Sequence, residues 1–213
     1  MNGWTLDQMA DLAAQDIEDG AYVNLGIGLP ELVADHLPPD REILLHSENG
    51  LLGMGPKPAP HERDSELINA GKKPTTLLPG GAFFHHADSF AMVRGGHLDL
   101  CIMGAFEVSA AGDLANWSNG PDQLPAVGGA MDLASGARLI RAIMLHRSKQ
   151  GRTKLVKAIS LPVTGWGVVQ RVYTDLAVLD TAGDHFVVRQ LAPGIDLEAL
   201  RSVTGAPVTM ASA

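Results

Sequence analysis

The chain has 213 residues, 46% apolar and 19% charged, a balance that excludes disordered and fibrous classes and suits one domain with a sizeable core. A formal net charge of −8 argues against a nucleic-acid partner, although a local basic site for a phosphorylated ligand stays open. Cys101 is the only cysteine, no apolar run approaches the roughly 20 residues of a membrane span, and no basic-then-apolar signal peptide is evident, so the expectation is a cytoplasmic protein with neither disulfide nor membrane partner.

Thr5-Leu6-Asp7-Gln8 fits a capping box, and Leu6, Met9, Leu12, Ala13 and Ile17 recur at helical spacing until Gly20. Ala21–Leu25 reads as a short strand. Gly26, Gly28 and Pro30 turn the chain into a helix around Glu31–His36, the first half of a βαβ unit. Ile43-Leu44-Leu45 is a second buried strand, and Lys57–Asp64 a Pro-rich loop. Thr75–Leu78 reads as a strand closed by Pro79-Gly80-Gly81, Ala87–Val93 as a helix, and Asp99–Met103 as a strand that buries Cys101 as an inert core residue. Beyond a polar loop over 119–125 come a helix at Met131–Ala137 and a strand at Leu139–Leu145. Further strands are expected at Lys154–Ile159, Val172–Val178 and Phe186–Val188, with a short helix at Asp196–Arg201. Residues from about 206 to 213 read as a flexible tail. Strands alternating with helices predict an α/β fold, a mostly parallel sheet covered on both faces, in one domain over 1–213.

The second strand ends in a polar cluster that holds Glu48. Ligands of open α/β sheets sit outside the carboxyl ends of the strands, and nearby glycines let backbone N–H groups approach them. On its own, a carboxylate in a polar loop is more often structural or merely solvated. The run Ser47-Glu48-Asn49-Gly50-Leu51-Leu52-Gly53-Met54-Gly55-Pro56, however, resembles the active-site signature of the β subunit of family I CoA-transferases. Tyr22–Gly28, Leu67–Lys72, Arg94–His97, Gly112–Trp117, Gly128–Leu133 and Thr174–Val178 agree with the same family in the same order. The resemblance covers nearly the whole chain. It implies the open three-layer α/β/α fold common to CoA-transferases and some sugar-phosphate isomerases.

Family I enzymes move CoA between carboxylic acids through an acyl anhydride and a glutamyl-CoA thioester. The CoA thioester is a substrate, and no tightly bound cofactor is implied. The resemblance makes Glu48 the nucleophile. A carboxyl group, with a pKa of about 4 against about 8.5 for a thiol, is the better leaving group, so anhydride formation is uphill. Covalent intermediates imply ping-pong kinetics. Gly129 and Ala130 match residues that lie against the reacting carbonyl, where N–H groups at a helix start would meet the oxyanion. Read as residues alone, Gly128-Gly129-Ala130 is equally an ordinary turn. Asn24 matches an active-site asparagine able to donate through its amide, and Lys72 matches a lysine near CoA. Adjacent histidines such as His85 and His86 do not share a face, and no HExxH spacing exists, so no metal site is expected.

Pro79–Phe90, with His46, Pro58-Ala59-Pro60 and Pro125-Ala126-Val127, is similar to the branch that transfers CoA from succinyl-CoA to 3-oxoadipate in aromatic-compound breakdown. The branch acting on acetoacetate usually has small hydroxyl residues in place of the two histidines. A second carboxylate on the acid suits a histidine donor, which makes His85 and His86 the specificity candidates. The family commonly divides its active site between an α and a β chain, so the resemblance implies an α-subunit partner, a heterotetramer of two α and two β chains, and inactivity alone. Acetoacetate is the alternative acid. A noncatalytic CoA-binding scaffold is the alternative from a different class.

Overall fold

The computed structural model describes residues 3–120 and 126–211, so most of the polar loop expected over 119–125, Pro125 and the last two residues lie outside the described residues. Helix α1 (Leu6–Gln15) starts at the expected capping box. The Gln8 N–H donates to Thr5 Oγ1 at 3.2 Å, and the Thr5 N–H donates to Gln8 Oε1 at 2.9 Å. Strand β1 (Tyr22–Leu25) leads into Leu29–His36, which winds as a 3-10 helix; the Glu31 N–H bonds back three residues to the Gly28 carbonyl, setting the tighter pitch. Strands β2 (Leu44–Ser47) and β3 (Leu51–Met54) form a hairpin across Glu48, Asn49 and Gly50, and β4 (Leu77–Phe83) adds a third antiparallel strand.

The chain continues through α2 (His86–Arg94), β5 (Leu100–Met103), β6 (Glu107–Ser109), β7 (Leu114–Ala115) and α3 (Ala130–Gly136). Next come β8 (Leu139–Ile143), β9 (Leu155–Val156), β10 (Val169–Tyr173), β11 (Ala177–Thr181), β12 (Phe186–Leu191), α4 (Leu197–Val203) and β13 (Val208–Met210). One ten-stranded sheet runs β13-β12-β11-β10-β8-β5-β1-β2-β3-β4. Its centre, β10-β8-β5-β1-β2, is wholly parallel, and antiparallel strands flank it on both sides. A small second sheet runs β7-β6-β9.

Period-two alternation makes the layers. In β5, Leu100 and Ile102 pack with Met9 and Ala13 of α1 and with Ile17 just beyond it, whereas Cys101 and Met103 pack with Val93 of α2 and Leu133 of α3. Helices therefore cover both faces of the parallel centre, and the three-layer expectation holds.

Several expected boundaries move. Pro79-Gly80-Gly81 does not close a strand but lies within β4, the outermost strand, where the pairing register with β3 shifts; an edge bulge is a setting in which a strand accommodates proline. The single strand expected over Val172–Val178 is a hairpin of β10 and β11. Its turn carries no glycine or proline, because Thr174 Oγ1 accepts the Leu176 and Ala177 N–H groups at 3.2 and 3.0 Å. Lys154–Ile159 shrinks to the two residues of β9. The flexible tail is also corrected: Val208–Met210 pair in parallel with β12, anchored by buried Val208, so residues 206–211 are not free in the described structure.

Candidate active site

Strand β2 carries His46 and Ser47 into the interior, and the chain then reverses at Glu48. Gly50 makes the reversal possible at φ 113, and a Cβ there would run into the Phe84 carbonyl oxygen. The Gly50 N–H donates to the Ser47 carbonyl at 2.9 Å. Two bonds lash the turn to the following loop: Asn49 Nδ2 donates to the Ile68 carbonyl at 2.7 Å, and the Ala70 N–H donates to Ser47 Oγ at 2.9 Å. Glu48 is thus held half-buried on a rigid turn. Burial raises its pKa above the usual carboxylate value; the nearby His86 opposes this and Asp132 adds to it.

Gly129 comes to the same carboxylate. It caps α3, and a Cβ placed on it would stand 2.8 Å from Glu48 Oε2 and 2.7 Å from Phe90 Cζ, so any side chain there would force Glu48 or Phe90 to shift. The Ala130 N–H is occupied, donating to the Val127 carbonyl at 3.1 Å.

Asn24, at the end of β1, is buried beside this turn. Its Nδ2 lies 3.1 Å from His46 Nδ1 and 3.3 Å from the His46 carbonyl, and Cys101 donates to its Oδ1 at 3.6 Å. His46 Nε2 reaches Ser89 Oγ at 2.9 Å, and burial pushes the ring's pKa down to about 4, so the imidazole is neutral. The amide expected to meet substrate is therefore committed to fixing His46, two residues before Glu48. Burial raises the Cys101 thiol, with the Glu48 charge adding to it, which keeps the thiol inert as expected.

Asn24, Glu48, Gly129 and Ala130 all line one cavity of about 920 Å³. It runs past the carboxyl ends of β2, β1, β5 and β8, the place where open α/β sheets bind ligands. The connection after β8 contributes Arg147, Lys149, Arg152 and Lys154 to the lining, a basic segment that motif matching passes over. Its signal is in the sequence: four cations within residues 147–154 of an acidic chain.

The remaining candidates stand outside this cavity. Lys72 is exposed on a turn at φ 60, the one non-glycine with positive φ among the described residues. It flanks a second cavity of about 470 Å³, lined by Lys57, Arg63, Gly71 and Lys73; Lys73 pairs with Glu31 at 2.7 Å. His85 caps α2, its Nδ1 accepting the Ala87 N–H at 3.1 Å. His86 packs on Phe90 with ring centroids 4.9 Å apart. Among the described residues no group of three or more His, Cys, Asp or Glu is placed to hold a metal ion, and no helix is long and apolar enough to cross a membrane.

The coenzyme A transferase family model matches residues 6–202. The chain is 57% identical over 202 residues to the β subunit of the 3-oxoadipate CoA-transferase of Pseudomonas putida, covering 94% of each chain. It is 48% identical over 199 residues to the β subunit of a probable succinyl-CoA:3-ketoacid coenzyme A transferase of Bacillus subtilis, covering 93% of this chain and 92% of that one. Among solved structures, an acyl-CoA transferase apoenzyme of Escherichia coli O157:H7 superposes with a TM-score of 0.74 at 18% identity over 98% of this chain. The match spans 42% of the longer E. coli chain, and at that identity it speaks for the fold alone. Signature, topology and family match coincide over almost the full length, and the chain belongs to the coenzyme A transferase family, among its β-subunit chains.

Proposed function

We propose that this chain is the β subunit of a CoA-transferase that moves CoA from succinyl-CoA to 3-oxoadipate, with Glu48 carrying CoA between them. The observation that carries the proposal is a carboxylate held half-buried in a cavity at the strand ends, with Gly129 making room against it. The Glu48 carboxylate attacks the succinyl-CoA carbonyl and expels CoA thiolate, forming a succinyl–glutamyl anhydride. The thiolate then attacks the glutamyl carbonyl, releasing succinate and leaving a glutamyl-CoA thioester. A carboxylate of 3-oxoadipate attacks that thioester, and the two steps run in reverse.

The chain's own residues have separable parts in this scheme. Burial makes the Glu48 carboxylate more basic and less shielded than one in water. Asn24 and His46 hold the β2 end from which the turn springs, and Gly129 and Ala130 line the space beside the reacting carbonyl. We assign Lys72 to the charged nucleotide end of CoA, at the rim of the second cavity. His86 tunes the charge of Glu48, and His85 fixes the helix that carries His86. CoA enters as a substrate. The active unit is a heterotetramer of two α and two β chains, in the cytoplasm, serving aromatic-compound catabolism.

Acetoacetate is the second candidate acid, favoured by the 48% identity to a 3-ketoacid transferase subunit. Initial rates of the complex with its α subunit separate the two. Parallel double-reciprocal lines and a kcat/KM for 3-oxoadipate at least about 10-fold above that for acetoacetate are expected. Intersecting lines would contradict the covalent route, and the reverse preference would replace the acid.

A further inference from the structure

Four parallel strands end on the Glu48 cavity in the order β8, β5, β1, β2. Glu48 follows β2 at one end, and Lys154 lies in the connection that follows β8 at the other. Three strand spacings, roughly 14 Å along the sheet, separate those strands. Lys154 itself stands well past β8, directly before β9 of the small sheet, and lines the same cavity as Glu48.

Lys154 is fixed in place. Its N–H donates to the His146 carbonyl at 3.2 Å, and its own carbonyl accepts the Val108 N–H at 2.9 Å. Its side chain is half-buried in the cavity wall, and among the described residues its ammonium forms no ion pair or hydrogen bond. The acids near it are already engaged. Glu107 accepts from the Ser160 N–H at 2.6 Å and from Ser160 Oγ at 2.8 Å, and Asp175 Oδ1 accepts the His146 N–H at 2.7 Å. Burial holds the ammonium's pKa down to about 8, with Asp175 opposing. A partly desolvated cation that opens on a cavity with no direct ion pair is stabilised by an anion delivered there.

We propose that Lys154 binds the remote, unreacting carboxylate of the acyl group and so selects dicarboxylic over monocarboxylic acids. This rests on the reading of Glu48 as the nucleophile of the same cavity. The pantetheine arm keeps the phosphates of CoA well away from the thioester, whereas the remote carboxylate of a succinyl or 3-oxoadipyl group is only a few bonds from the reacting carbonyl. Within the Glu48 cavity, the carboxylate is the better match. Arg147, Lys149 and Arg152 lie on the same loop and add positive potential at the cavity wall.

The test uses the complex with its α subunit, carrying Lys154, Lys154→Gln or Lys154→Arg. Binding of succinate and of butyrate, which has the same carbon number and no second carboxylate, is measured by calorimetry without CoA. Lys154→Gln is expected to weaken succinate binding about 10- to 100-fold, the range of a charge-assisted hydrogen bond, while butyrate binding stays unchanged and Lys154→Arg retains most of the affinity. Unaltered succinate binding in Lys154→Gln, equal loss for both acids, or no preference for succinate in the unaltered complex overturns the proposal. Borohydride-trapped CoA is mapped on the same samples. A missing mark on Glu48 beside selective loss of succinate binding would remove the nucleophile assignment and leave that of Lys154.

Discussion

Beside β10 and β11, Arg171 donates to Asp16 at 2.7 Å and to Asp180 at 2.6 Å, Arg189 donates to Asp180 at 2.6 Å, and the Tyr173 hydroxyl donates to Asp16 at 2.6 Å. Every charge in that group has an opposite partner. In the cavity at the strand ends, Glu48 and Lys154 are also half-buried, yet among the described residues neither side chain forms an ion pair or a hydrogen bond. The pKa directions follow. Burial pushes Asp16 and Asp180 up, but the hydrogen bonds from Tyr173 and Arg171 to Asp16, and from Arg171 and Arg189 to Asp180, outweigh it and leave both below the usual value. Glu48, with no such bonds, stays raised. The paired group joins α1 to the sheet and is explained by folding. The unpaired groups cost stability, and in the proposed reaction the substrate is what they meet.

The largest expected effect comes from removing the unpaired carboxylate. Glu48→Gln should lower transferase activity by at least about 10³-fold, as loss of a covalent nucleophile does. The same variant should be slightly more stable, by about 1 kcal/mol or a few degrees in Tm, because a partly desolvated charge has gone. Activity assays and thermal melts on one preparation check both signs, and a loss of stability would break the contrast. Gly129→Ala sets a methyl group against Glu48 and Phe90. Overpacking of about 1–3 kcal/mol, borne by the nucleophile's position, means a rate lower by about 10- to 100-fold with the complex still folded.

Arg171→Met acts in the opposite sense. It leaves Asp16 and Asp180 with one partner fewer and should cost about 2 kcal/mol in denaturant unfolding, a figure reduced for partial solvent exposure, with turnover per folded complex unchanged. The smallest effect is one of pH. A depressed carboxylate contributes stability that is present above its unfolded pKa and lost as pH falls through the lower folded value, so Asp16 and Asp180 hold until below their ordinary value of 3.8. Glu48 must be ionised to attack, and its pKa lies above the ordinary 4.5, so adduct formation should fail at a higher pH than the fold does. His86→Ala removes the neighbour whose electrostatic influence opposes this shift and should move the acid limb of adduct formation further upward.

Features set by neighbours in sequence were legible without a structure. The Thr5–Gln8 cap joins residues three apart, and the β5 strand follows from its own apolar run. Glu48 and Gly129 were found through the family signature, since their distance along the chain hides their contact from any spacing argument. What escaped was tertiary. The Thr174 turn uses a side-chain oxygen in place of the glycine or proline that marks turns in a sequence, and Pro79 sits in a strand because that strand is an edge. His85 and His86 drew attention as a pair, while the cavity is lined instead by the cations of 147–154, whose meaning appears only once β8 is seen to end beside β5, β1 and β2.

The most direct measurement is peptide mapping by mass spectrometry of the complex with its α subunit, incubated with succinyl-CoA and quenched with borohydride. A reduced glutamyl-CoA mark on Glu48 that disappears when 3-oxoadipate is added is the expected result. Full transferase activity with Glu48 unmarked would contradict the covalent role of this carboxylate.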